Sequence, residues 1–276
     1  MSAIAAIPKL LGIHPTFVDI DEHYCIDIAK LQIDEGDLVI AVNMFGHPAA
    51  LHNLREKCDN CNSLLIEDNA QAPWATENDT YTGTIGHLGC WSFNVHKFVQ
   101  AGEGGMVTTN DQTLADTMRG FINHGEVAGG LCGLNLRMPE LTAVIILAQM
   151  QQAREVVRRR REIWSALSEA GTDSLVMPEE RPHCISSWYC HPILAPNEKA
   201  RDRAVKMLQA EGLPCRAGYT LIHKLPAFSV AVDDQTFPVA EALNSRMVLL
   251  ELASIDPSDD QLEQMVEAID AVGRHL

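Results

Sequence analysis

Through the first 125 residues, short apolar runs alternate with amphipathic stretches, and polar turn-forming segments separate them. The β-rich runs at 16–19, 38–43 and 64–67 predict strands, and the pattern at 51–57 predicts the helix joining the last two. A βαβ rhythm of this kind implies a mostly parallel sheet covered on both faces. Further strand-like runs lie at 89–93 and 105–109, followed by a helix at 111–121. A loop with Gly125, Gly129, Gly130 and Gly133 then breaks the pattern. Beyond it, one long helical pattern covers 139–167 with Pro139 in its first turn, where a missing N–H costs nothing. A strand at 188–194, a helix at 198–211 and an amphipathic closing helix at 259–272 complete the chain. The expected organisation is a large α/β domain over 1–150 and a connecting helix with a small α+β domain over 151–276.

Composition narrows the function. The 276 residues suffice for one or two domains at about 150 residues each. With 46% hydrophobic and 21% charged residues, the chain is an ordinary globular one, not a disordered or fibrous one. The 21 Lys and Arg against 37 Asp and Glu give a net charge of -16. So acidic a surface repels phosphate backbones and anionic lipid, which argues against nucleic acid and membrane as partners. The basic run 158–161 lies in a helical pattern and reads as a solvated helix face. No apolar run approaches the roughly 20 residues that span a bilayer. The N-terminus shows no basic segment leading into an apolar one, so a cytoplasmic location is expected. Of the eight cysteines, Cys58 and Cys61 make the one CxxC. With no second pair to complete a zinc ribbon, reduced structural thiols are expected.

Candidate chemistry gathers in two segments. Asp68 directly follows an apolar strand, with Gln71 three residues on, and Lys97 follows another strand ahead of the flexible loop Gly102-Glu103-Gly104-Gly105. Residues just beyond strand carboxyl ends line the ligand crevice of an open α/β sheet. A carboxylate, an amide and a lysine converging there suit pyridoxal phosphate chemistry, the lysine forming a Schiff base and the carboxylate keeping the pyridine nitrogen protonated. Spacing alone favours the plainer reading, with Asp68 a helix cap or turn residue and Lys97 a surface lysine.

The wording of these segments resembles the DegT/DnrJ/EryC1/StrS aminotransferases, pyridoxal-phosphate enzymes that aminate keto-sugars and keto-cyclitols. The family pattern EDxAQAxGA matches residues 67–75, SFxxxK with GEGG matches 92–97 and 102–105, and GxNxRMxEL matches 133–141, with Gln149 downstream. Weaker echoes lie at 15–19, at Gly46-His47-Pro48, at 123–125 and at 219–223. The resemblance implies the aspartate-aminotransferase-like architecture known as fold type I, with a mostly parallel large domain and a small C-terminal one. It implies that Lys97 is the Schiff-base lysine and proton shuttle, Asp68 the partner of the pyridine nitrogen, Gln71 the contact of the ring hydroxyl and Ser92 a phosphate ligand. Asn135 matches a loop that reaches the cofactor phosphate across a dimer interface, which implies at least a homodimer. Glutamate or glutamine would donate the amino group to a keto-sugar nucleotide or keto-cyclitol.

His96 stands beside a lysine that is present, which favours transamination over the dehydratases that replace this lysine by histidine. His223 is a candidate substrate contact, with a structural role as the plainer reading. The resemblance also implies a front segment, ending in a Ser-Gly-Thr turn that holds the cofactor phosphate, which has no match here. Two further expectations follow from that difference: a shortened large domain, and a half-site subunit that needs a chain supplying the segment.

Overall fold

The computed structural model describes residues 2–126, 130–228, 235–252 and 256–276, so Gly129 of the glycine-rich loop lies outside the described residues. The helices are α1 (Ala3–Leu10), α2 (Leu51–Asn60), α3 (Gln112–Ile122), α4 (Glu140–Met150), α5 (Ala153–Glu169), α6 (Glu198–Ala210), α7 (Pro238–Arg246) and α8 (Asp259–Arg274). The strands are β1 (Leu38–Val42), β2 (Leu64–Asp68), β3 (Thr76–Glu77), β4 (Thr80–Tyr81) and β5 (Leu88–Ser92). They continue with β6 (Gly105–Thr108), β7 (Cys184–Ile185), β8 (His191–Leu194), β9 (Cys215–Ala217) and β10 (Met247–Leu250). Two compact units result, one of residues 33–160 and 182–189, the other of 1–32, 161–181 and 190–276.

The first unit is built on a sheet ordered β1-β2-β5-β6. β1, β2 and β5 run parallel and β6 returns antiparallel, with Val42 opposite Asp68 and Asp68 opposite Cys90. That register brings the carboxyl ends of three strands to one edge. Helix α2 buries Leu51, Leu54 and Cys58, one stripe at helical spacing. Its first two N–H groups have no local cap. The buried Glu77 carboxylate takes them instead, from Leu51 N at 2.5 Å and His52 N at 3.3 Å. An acidic group at a helix N-terminus satisfies orphan donors and the helix dipole together. Burial pushes the Cys58 thiol up to about 11, as suits a packing thiol beneath this helix.

The second unit holds an antiparallel sheet ordered β8-β10-β9. All four residues of β10 are buried. Ile163, Leu167, Ile193, Leu208, Leu250 and Ile269 from strands and helices form its apolar core. Sequence-local caps define its helices. Asn197 accepts Ala200 N–H at the start of α6, and Ser258 and Gln261 form a reciprocal capping box before α8.

Three expected elements differ from those observed. Residues 16–19 pair in no ladder among the described residues. There Phe17 packs edge-on against Phe228 and Phe237, and the buried Asp19 accepts the N–H groups of Val239 and Ala240 at the start of α7. The long helix over 139–167 is two helices, α4 and α5. Between them Gln152 N–H turns back to Gln149 O at 3.0 Å, a tighter turn than the α-helix takes. The strand over 188–194 begins only at His191, because Trp188 and Tyr189 belong to the other unit. The division by contacts also departs from chain order: it places residues 1–32 with the C-terminal unit rather than with residues 33–160.

Candidate active site

The parallel sheet positions the candidate residues. Successive side chains of a strand face opposite sides, so the adjacent carboxylates of Glu67 and Asp68 part company. Glu67 is fully buried and accepts backbone N–H groups from Gly83, Ile85 and Gly86. Burial raises its carboxyl above the ordinary glutamate range, with those donors pulling the other way. Its work is structural: it pins the loop after β4 beneath the sheet. Asp68, the last residue of β2, is half-buried, and its Oδ1 accepts Ala70 N–H at 3.1 Å.

The turn after β2 is set by buried amides. Asn43 donates to Asn69 Oδ1 at 3.0 Å and accepts Ala49 N–H, while Asn69 donates to Thr82 O. Gln71 is buried, and its Oε1 accepts Phe45 N–H at 2.8 Å. A backbone N–H requires an acceptor, so the Gln71 side chain is oriented with its Nε2 donor turned away from Phe45.

Lys97 is likewise buried, at 7% exposure. The loop carrying it folds back on itself through Lys97 N to Asn94 O, Val95 N to Gly102 O and Ala101 N to Phe93 O. Gln149 of α4 clamps its far side, accepting Gln100 N–H at 2.9 Å and donating to Gln100 O at 2.6 Å. Beneath the loop, Phe93, Val99, Ile146 and Ala153 form a small apolar core with Trp74 against it. The lysine Nζ lies 4.6 Å from the centroid of the Tyr189 ring, and Tyr189 N–H donates to Phe45 O at 2.8 Å. Contacts thus run unbroken from Lys97 through Tyr189 and Phe45 to Gln71, three residues from Asp68.

Ser92 closes β5, half-buried, with Oγ accepting Asn94 N–H at 3.3 Å. Asn135 stands apart. It is exposed, bridges Asn123, and accepts from Arg137 Nε at 3.1 Å. No hydrogen bond among the described residues joins it to Asp68, Gln71 or Lys97. His96 is exposed. His223 belongs to a short 3-10 turn, where its ring stacks on Phe237 at 4.6 Å and meets Glu241 Oε1 at 3.0 Å. Sequence reasoning missed Phe45 and Tyr189. The Gly46-His47-Pro48 echo marks the first, whereas the second sat inside what read as a strand.

Three comparisons bear on this geometry. The family model described as the DegT/DnrJ/EryC1/StrS aminotransferase family matches residues 2–270. The GDP-perosamine synthase of Escherichia coli O157:H7 is 30% identical over 252 residues, covering 88% of this chain and 68% of that protein. A UDP-N-acetyl-3-dehydro-alpha-D-glucosamine 3-aminotransferase of Acidithiobacillus ferrooxidans is 32% identical over 259 residues, covering 90% and 69%. Among solved structures, the aminotransferase of Psychrobacter cryohalolentis superposes with a TM-score of 0.92 at 27% identity, over 100% of this chain and 79% of that one.

Proposed function

The chain belongs to the DegT/DnrJ/EryC1/StrS aminotransferase family, and from that premise we propose that it uses pyridoxal 5'-phosphate to move an amino group from glutamate or glutamine to a keto-sugar nucleotide or keto-cyclitol. The observation that carries the reading is the buried Lys97 amine, linked through Tyr189 and Phe45 to Gln71 at the carboxyl edge that also bears Asp68. This donor set fits the cofactor: an amine for its aldehyde, a carboxylate for its ring nitrogen and an amide donor for its ring hydroxyl. When bound, the cofactor supplies an electron sink for the bond broken at the substrate carbon.

The roles of the chain's own residues follow from their chemistry. The Asp68 carboxylate accepts a hydrogen bond from the protonated pyridine nitrogen and so holds the proton there. Gln71 Nε2 donates to the ring hydroxyl, its orientation fixed by Phe45 N–H. Lys97 Nζ would hold the cofactor through its aldehyde and, as a neutral amine, would accept the proton leaving the substrate carbon. Phe98 and Val99, buried beside it, exclude water that would compete for that proton. Ser92 Oγ, at the end of β5, serves the phosphate.

Asn135 serves the phosphate of a second subunit, so the working form is at least a homodimer. Its exposure supports this, as do exposed Leu134, Leu136, Leu141 and Leu147 on the same loop and on α4, an apolar surface that a monomer rarely leaves open. A cytoplasmic site of action belongs to the same reading. No helix among the described residues is long and apolar enough to cross a membrane.

The test is spectral. Pyridoxal phosphate titrated into the purified chain is expected to give the absorbance of lysine-bound cofactor, and borohydride is expected to fix it on the peptide containing Lys97. A flat titration, or label on another lysine, overturns the reading.

A further inference from the structure

Resting on the reading of Lys97 as the amine that attaches the cofactor, we propose that Tyr189 is a positioning residue, its ring face holding the Lys97 ammonium whenever the amine is free. An ammonium within about 6 Å of an aromatic centroid is drawn to the negative face of the ring, more strongly where water is excluded. Here the separation is 4.6 Å, and both side chains are buried. A lysine side chain has four rotatable carbons, and confining it before reaction removes disorder that would otherwise be lost in the reaction itself.

The ring is itself held firmly. Segment 186–189 lies against the turn after β1, with Ser187 N–H donating to Gly46 O at 3.0 Å and Tyr189 N–H to Phe45 O at 2.8 Å. The His47 ring nitrogen meets Ser186 Oγ at 2.7 Å, and Ser187 Oγ reaches Gln71 O at 3.3 Å. Gly46 permits this approach: its φ is 95°, and a Cβ there would lie 2.6 Å from Trp188 N. Phe45 and Trp188 both adopt positive φ, at 58° and 51°, which bulky residues accept only where their surroundings enforce it. Phe98 meets the Tyr189 ring edge-on at 5.8 Å and fixes its tilt. One turn therefore references both the ring over Lys97 and the amide of Gln71, so that amine and amide share a frame.

The ring face, not the bulk or the hydroxyl, is what the inference requires. Tyr189→Leu keeps apolar bulk and loses the face, whereas Tyr189→Phe keeps the face and loses the hydroxyl. In the cofactor-free protein, trace acetic anhydride would acylate Lys97 in competition with the exposed Lys199, read by peptide mass spectrometry. An ammonium held on the ring does not react. Tyr189→Leu is expected to raise the Lys97 to Lys199 ratio by about two- to fivefold, with Tyr189→Phe close to the parent. Equal ratios in both variants, or no change in either, overturn the inference. Should the leucine variant fail to fold, Tyr189→Met gives the same contrast. Because acylation needs no cofactor, failure of the contact is read separately from failure of cofactor binding.

Discussion

Around β10 the buried side chains are mostly apolar, among them Ile193, Met247, Val248, Leu249 and Leu250 with His191 the polar exception, whereas around the end of β2 they include Asn43, Glu67, Asn69, Gln71 and Thr82. The two regions exclude water equally well by different physics. Apolar burial is non-directional, so the antiparallel sheet needs only volume and pattern to match. Each buried amide or carboxylate near β2 must meet a partner in a set direction, and one left unpaired costs about 1–3 kcal/mol. The first region can be repacked without loss of purpose. The second is stabilised less per residue but fixes orientations, as a site for chemistry requires.

Changes in the two regions should therefore separate activity from stability. Lys97→Ala is expected to lower turnover by at least about 10²–10⁴-fold, far out of proportion to any shift of the denaturation midpoint, because it removes the proposed proton carrier. A matching fall in both would break the distinction. Leu208→Ala, in the apolar core, should cost about 2–5 kcal/mol in denaturant unfolding yet leave cofactor attachment to the folded protein unchanged. Between these lies Glu77→Ala, which strips two N–H groups at the start of α2 of their acceptor and should cost about 1–2 kcal/mol. If it also slows turnover, the polar frame reaches from α2 to the site.

What was legible in the sequence follows the same split. Strands 38–43 and 64–67 and helix 51–57 were readable because alternation and helical spacing are local, and the positions of the candidates Asp68 and Lys97 at or just beyond strand ends were readable for the same reason. Asp19 looked like the end of a strand, but its partners lie at Val239 and Ala240, 220 residues and more away. Tyr189 read as strand because aromatic residues favour strands, and only the pairing of segment 186–189 with Phe45 and Gly46 takes it elsewhere. The break between α4 and α5 leaves the apolar spacing almost undisturbed, so periodicity passes over it. For Asp19 and Tyr189 the deciding contact is distant in sequence, whereas at the break between α4 and α5 it is a local backbone bond that periodicity does not register.

The smallest effect tests the comparison most closely, since it sets one buried carboxylate from each unit against the other. Burial would raise the Asp19 carboxyl, but the N–H groups of Ala240, Val239 and Ile20 and the Lys30 ammonium outweigh it and hold it below the ordinary aspartate range. Its contribution to stability is therefore present above the unfolded value of about 3.9 and is lost as pH falls through the lower folded value. For Glu67 burial wins, and the sign reverses: its contribution is complete below the unfolded glutamate value and declines as pH rises through the raised folded value. Denaturation midpoints followed from acid to neutral pH should show Asp19→Asn removing a loss on the acid side. Glu67→Gln should remove a decline on the approach to neutrality. Slopes of the same sign in both variants would mean that the three N–H donors to Glu67 outweigh its burial, and that the two units treat a buried carboxylate alike.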